Sequence, residues 1–156
     1  MPEIIHNTPS ILIPKELFRE EKILDYWSVF YPADQNKTIG KDELKDFFLI
    51  YPKTNNEDSI HEISVLYSDF LEKYPNCEDA VCVNVYDNSF CILVVKNREV
   101  EYSGFFQFTV KEDVLYHLTH VSQKYFENIS TVFFGYQQLS QDILRLLDSF
   151  YEMKKI

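Results

Sequence analysis

Two hydrophobic periods organise the chain from residue 59 onward. Ile63, Leu66, Tyr67, Phe70, Leu71 and Tyr74 recur at helical spacing, and Pro75 stops the run. Ser59-Ile60-His61-Glu62 stands before it as a capping box, in which a hydroxyl and a carboxylate satisfy the first free amides of a helix. The period then changes to two. Val81, Val83 and Val85 alternate with Cys82, Asn84 and Tyr86, which predicts a strand. Asp87-Asn88-Ser89 has turn chemistry, 90–95 reads as the returning strand, Asn97-Arg98 as a second turn and 100–108 as a third strand. A second capping box, Thr109-Val110-Lys111-Glu112, opens a helix carrying Val114, Leu115, Leu118, Val121, Tyr125 and Phe126. Residues 131–134 are apolar throughout, as in a strand buried on both faces, and Gly135 ends it. A last helix is predicted from Ser140, with Ile143, Leu144, Leu147, Phe150 and Tyr151 on one side and Lys154-Lys155 at its negative end.

The first 58 residues are less regular. Residues 11–13 are a short apolar run closed by Pro14, which suits the first position of a short helix over 15–21. Residues 47–51 read as a strand closed by Pro52, and 32–38 and 52–58 as loops. The expected organisation is one α+β domain over 1–156. It has an irregular region, 1–58, with one short helix and one strand, and an α-β-β-β-α-β-α core over 59–156. A three-stranded antiparallel meander followed by α-β-α gives a mixed sheet with packed helices, the element order of ribonuclease H-like and actin-like domains.

Composition narrows the function. The chain holds 13 Phe, 11 Tyr and one Trp, but only three Gly, where average usage would give roughly eleven. Its formal net charge is −10, from 25 acidic against 15 basic residues. Such a surface repels phosphate backbones, so nucleic acid is disfavoured as a partner. No apolar run approaches the length of a membrane span, and residues 1–10 lack the basic and apolar regions of a signal peptide. Cys77, Cys82 and Cys91 are odd in number and lack metal-ligand spacing. Free thiols in the cytoplasm are the expectation.

Three stretches resemble an uncharacterised family of Bacteroidota proteins with an actin-like ATPase fold. They are ILIPKELF at 11–18, EYSGFFQFTVKEDVLYHLTHV at 101–121 and TVFFGYQQLSQDILRLL at 131–147. In the second, Glu112, Asp113, Tyr116 and Leu118 fall where the family pattern expects them. Ser103-Gly104 stands where that pattern has an Asn, so no role of the Asn carries over. The resemblance runs from about Ser10 and covers the latter part of the family's length, which implies an actin-like half-domain whose preceding half is absent here.

An actin-like ATPase wraps phosphates in two hairpin loops, holds metal or water with an acid and packs adenosine on a Gly-Gly turn. Glycine is required where backbone must approach the ligand closely. Here Asp87 and Ser89 occupy the first hairpin with no glycine after them, and Gly135 stands singly before Tyr136. Asp87, Ser89 and Gly135 are the candidates for nucleotide binding on that resemblance. A ribonuclease H-like nuclease needs several carboxylates around two metals. Asp87 with Glu112 or Asp113 is a thin set, and helix N-terminal electrostatics account for the last two. His117 and His120 share a helix face but have no third ligand in sequence. No catalytic, metal or cofactor site is therefore assigned. Most of the aromatics fit a core; the remainder suit protein contact. Trp27, Phe30 and Tyr31, before a loop, and Tyr136 are the contact candidates. The favoured reading is a non-catalytic protein-binding or scaffold module, engaging a protein partner or a second copy. The alternatives are a nucleotide-binding ATPase-like enzyme and a ribonuclease H-like nuclease.

Overall fold

A computed structural model describes residues 2–34, 37–53, 58–135 and 139–156. The chain divides into two compact units, Met1–Val65 and Leu66–Ile156.

The first unit is more ordered than its pattern suggests. A two-stranded parallel sheet pairs β1 (Glu3–Ile5) with β5 (Ser59–His61). A three-stranded antiparallel sheet runs β2 (Ile11–Pro14), β4 (Phe47–Lys53), β3 (Thr38–Leu44). The predicted helix over 15–21 is instead two single 3-10 turns, Lys15–Leu17 and Glu20–Lys22, broken by extended backbone at Phe18 and Arg19. Tertiary contact decides this. The Phe18 ring lies 4.6 Å from that of Phe48, and the Arg19 amide donates to the Tyr26 hydroxyl at 3.0 Å. The helix of this region is α1 (Ile23–Phe30), which buries Trp27 against Ile13 and Ile50. Strand β3 was not evident because TIGKDEL is polar. It forms because Gly40 pairs with Tyr51, whose ring covers the glycine so closely that a Cβ there would lie 2.7 Å from a ring carbon.

The second unit realises the predicted core with one added strand. Its five-stranded mixed sheet has the order β10-β9-β6-β7-β8. The strands are β6 (Ala80–Val85), β7 (Ser89–Lys96), β8 (Glu99–Gln107), β9 (Thr131–Phe134) and β10 (Glu152–Lys155). β6, β7 and β8 form the meander, while β9 pairs with β6 and β10 with β9 in parallel. The last helix is shorter than predicted. α4 (Gln141–Asp148) ends before Phe150, and the chain returns as β10. Lys154 and Lys155 thus belong to an edge strand, where charge guards against unwanted pairing.

Helices cover both faces of this sheet. Val81, Val83, Val85, Ile92 and Val132 pack with Val114, Leu118 and Val121 of α3 (Lys111–Tyr125) and with Ile143 and Leu147 of α4. On the opposite face, Phe70 of α2 (Glu62–Lys73) meets Phe133 edge-on at 5.2 Å. Adjacent Phe105 and Phe106 therefore both find cover, and both are half-buried. Asn97 and Arg98 make the β7–β8 turn with φ of 52° and 65°. The Arg98 guanidinium then donates to the carbonyls of Leu71, Tyr74 and Cys77 at 3.1, 3.0 and 2.8 Å. This satisfies acceptors that the end of α2 leaves open. No helix among the described residues is long and apolar enough to cross a membrane.

Candidate functional site

The carboxyl ends of β6 and β9 are the place to look for a ligand. The meander leaves β6 on one side and β9 returns on the other, and open α/β sheets gather ligands at such a reversal. Val83 opposite Phe134 and the Gly135 amide donating to the Val83 carbonyl at 3.0 Å bring Asn84 beside Gly135. Asp87 and Ser89 lie beyond the end of β6. Asp87 is exposed, whereas Ser89 is buried as the first residue of β7, and its carbonyl accepts from the Tyr86 amide at 2.8 Å. That bond closes a tight turn around Asp87-Asn88. The turn has the geometry of an ordinary connection and carries no glycine.

Gly135 has a structural reason of its own. Its φ is negative, so no left-handed backbone demands it. A Cβ at this position would lie 1.9 Å from Asn84 Oδ1 and 3.1 Å from Leu66 Cδ1. The Asn84 side chain packs so closely on Gly135 that close packing by itself accounts for the glycine. Asn84 is the residue that sequence reasoning passed over. Its signal was a polar position inside the otherwise apolar AVCVNV. Gly135→Ala is expected to destabilise by about 1–3 kcal/mol in urea unfolding, as overpacked sites do. Asn84→Ala in the same chain should recover most of that loss, and strictly additive effects would refute the contact.

The first unit holds a second cluster of buried polar groups. Asp42 Oδ2 accepts the His61 amide at 2.7 Å and the Ser64 hydroxyl at 2.6 Å. The Tyr51 hydroxyl lies 2.8 Å from Asp42 Oδ1 and 3.0 Å from the Ser59 carbonyl, sharing one proton between them. His61 Nδ1 accepts from the Ile63 amide at 3.1 Å, so its ring caps α2, and Nε2 therefore donates to the Thr8 carbonyl at 2.7 Å. Burial holds the His61 imidazole below its usual range and pushes the Tyr51 phenol well above its own. Ser, His and Asp stand together here without forming a catalytic triad. The Ser64 hydroxyl bonds the carboxylate, and the imidazole reaches neither of them. The predicted capping box at 59–62 is corrected in detail. Ser59-Ile60-His61 is strand, the helix begins at Glu62, and His61 rather than Ser59 provides the cap. At α3, Asp113 rather than Glu112 accepts from the Thr109 and Val110 amides.

The aromatic contact candidates separate. Trp27 is 0% exposed and is a core residue, because α1 turns its indole inward between β2 and β4. Tyr31 stacks on it at 4.6 Å and is half-buried. Phe30 remains outward at 64% exposed, and its neighbour Val29 is 76% exposed. Tyr136 lies outside the described residues. His117 stacks on Phe106 at 4.7 Å and His120 on Tyr116 at 6.2 Å, each ring held by a different aromatic. No group of three His, Cys, Asp or Glu placed to hold a metal occurs among the described residues.

Known proteins place this geometry. A solved structure from Bacteroides thetaiotaomicron VPI-5482, described as a protein with an actin-like ATPase fold and unknown function, superposes with a TM-score of 0.76 at 17% identity. The match covers 98% of this chain and 66% of that one, so this chain spans just under two thirds of its relative's length. The fold is therefore actin-like, of the ribonuclease H-like class, as the element order predicted. At that identity the likeness speaks for fold alone. Comparison with curated proteins gives no match. The family described as "Protein of unknown function (DUF3822)" matches residues 3–152, and the chain belongs to that family.

Proposed function

We propose that the chain is a non-catalytic protein-binding or scaffold module on an actin-like ATPase fold, which engages a protein through the outward end of α1. The observation that carries this reading is the adjacent pair Val29 and Phe30, 76% and 64% exposed at the last turn of that helix. Leu24 on the same helix is 42% exposed. Large apolar side chains gathered on one short helix favour a contact surface over chance exposure. Glu20, Glu21 and Asp25 stand nearby in sequence, and with the net charge of −10 they favour a protein over an anionic lipid surface or nucleic acid. The Asn84 side chain against Gly135 and the glycine-free turn at Asp87 speak against nucleotide hydrolysis. Three free cysteines accord with a reducing cytoplasm.

A photo-crosslinking residue at position 30, placed in the protein within its own cells, tests this. A discrete protein adduct is expected, and Val29→Asp should remove it while leaving the melting temperature within a degree or so, as exposed substitutions do. Diffuse labelling unaffected by Val29→Asp ends the reading. In parallel, magnesium and ATP should leave the melting temperature unchanged. A rise that Asp87→Ala abolishes would establish the ATPase-like alternative instead.

A further inference from the structure

The five-stranded sheet has two unlike edges. β10 carries Glu152, Lys154 and Lys155, a charged guard. β8, at the other edge, pairs with β7 alone among the described residues. A register shift opposite Val94 and Val95 skips Glu101, and beyond it Tyr102–Gln107 runs unbroken with no Lys, Arg or Pro. The outward backbone groups of this stretch can be identified. The Phe108 amide donates to the Asn88 carbonyl at 3.0 Å, which makes that pair a hydrogen-bonded one. Such pairs alternate along an antiparallel ladder. Phe106, Gly104 and Tyr102 therefore turn their backbone groups toward β7, while Gln107, Phe105 and Ser103 turn theirs away from the sheet.

We propose that β8 is a strand-addition edge whose occupant is β8 of a second copy, antiparallel and centred on Phe105. This register places Ser103 of one copy opposite Gln107 of the other and Phe105 opposite Phe105. It closes about six backbone hydrogen bonds, two for each facing pair. Side chains agree with it on both faces. Gly104 pairs with Phe106 of the other copy and sets no side chain against it, its own face being covered already by Tyr102 and Phe106 of the same chain. On the other face, Ser103 Oγ is buried and makes no hydrogen bond among the described residues, and the pairing sets the Gln107 carboxamide of the second copy across from it. No like charges meet between 102 and 108, whereas a parallel pairing in register would stack Glu99 on Glu99 and Glu101 on Glu101. A two-fold axis through Phe105 makes the contact self-complementary and closed. This surface is distinct from the end of α1, and the inference does not depend on that reading.

Analytical ultracentrifugation of the full chain over a wide concentration range tests it. The unmodified chain should show a concentration-dependent dimer. Phe105→Lys and Phe105→Glu each set like charges across the axis and should weaken it at least about tenfold. An equimolar mixture of the two should restore dimer, since Lys then faces Glu. Gln107→Pro removes an outward amide that β7 does not use, so it should keep the fold by circular dichroism and still weaken the dimer. It decides the matter if the Phe105 variants fail to fold. Phe30→Asp should leave association unchanged, which separates this surface from α1. A monomer at every concentration, dimerisation unaffected by Gln107→Pro, or a mixture no better than its components would overturn the proposal.

Discussion

Trp27→Ala should loosen the Met1–Val65 unit by about 3–5 kcal/mol, the usual cost of deleting a large buried aromatic. The indole is fully enclosed, touching Ile13 and Ile50 and stacked on Tyr31, so its removal leaves a cavity that short strands cannot easily close. Trp27→Phe should cost much less, because it keeps most of the apolar volume. It also removes Nε1, a buried donor without a hydrogen-bond partner among the described residues. Hydrogen exchange of the amides in β2 and β4 is the suitable measurement, since it reads this unit without the tryptophan as probe. The same experiment separates a core residue from a contact residue. Wild-type protection in Trp27→Ala together with loss of a partner adduct would return Trp27 to the surface.

Asp42→Ala should cost about 3 kcal/mol or more, as a charged acceptor serving buried donors does when deleted. The His61 amide and the Ser64 hydroxyl lose their acceptor, and the Tyr51 phenol keeps the Ser59 carbonyl and hydroxyl. These donors belong to β5, α2 and β4, so the carboxylate ties three elements to β3. Asp42→Asn should recover part of the loss. It retains one oxygen but turns an NH2 toward a group that also donates. Trp27, the single tryptophan and fully buried, reports the change as a red shift of emission in urea. The midpoint should fall in the order wild type, Asn, Ala. Equal midpoints for all three would mean that the network contributes nothing net. Catalysis is not asked of this cluster, since no bond connects the imidazole to a hydroxyl.

Legibility followed burial. The β6–β8 meander, α3 and β9 were readable because their strands and helices bury apolar residues at strict periods, and β6 is buried at every position. β3 and β10 were not readable. TIGKDEL and EMKK are polar in pattern, and what holds them is supplied by partners distant in sequence: the backbones of β4 and β9 and, for β3, the donors that meet Asp42. α1 and its C-cap do carry an inward stripe, Ile23, Tyr26, Trp27 and Tyr31, but Leu24, Val29 and Phe30 add exposed apolar residues off it and blur the period. For the site, the shortage of glycine in the hairpin was plain in the sequence. The meaning of Gly135 was not, because the side chain that requires it comes from residue 84.

The sequence by itself determined the class of fold, the order of the core elements and the lack of glycine in the turn at Asp87. These are local properties, set by side-chain period, by proline and turn residues, and by the absence of glycine where backbone must approach a ligand. Only the tertiary structure decided that Trp27 is core and Phe30 surface, that His61 caps α2, that Asn84 lies against Gly135 and that β8 pairs with β7 alone among the described residues. Each of these depends on which residues distant in sequence become neighbours. Strand pairing and packing settle that, and no single segment's composition encodes it.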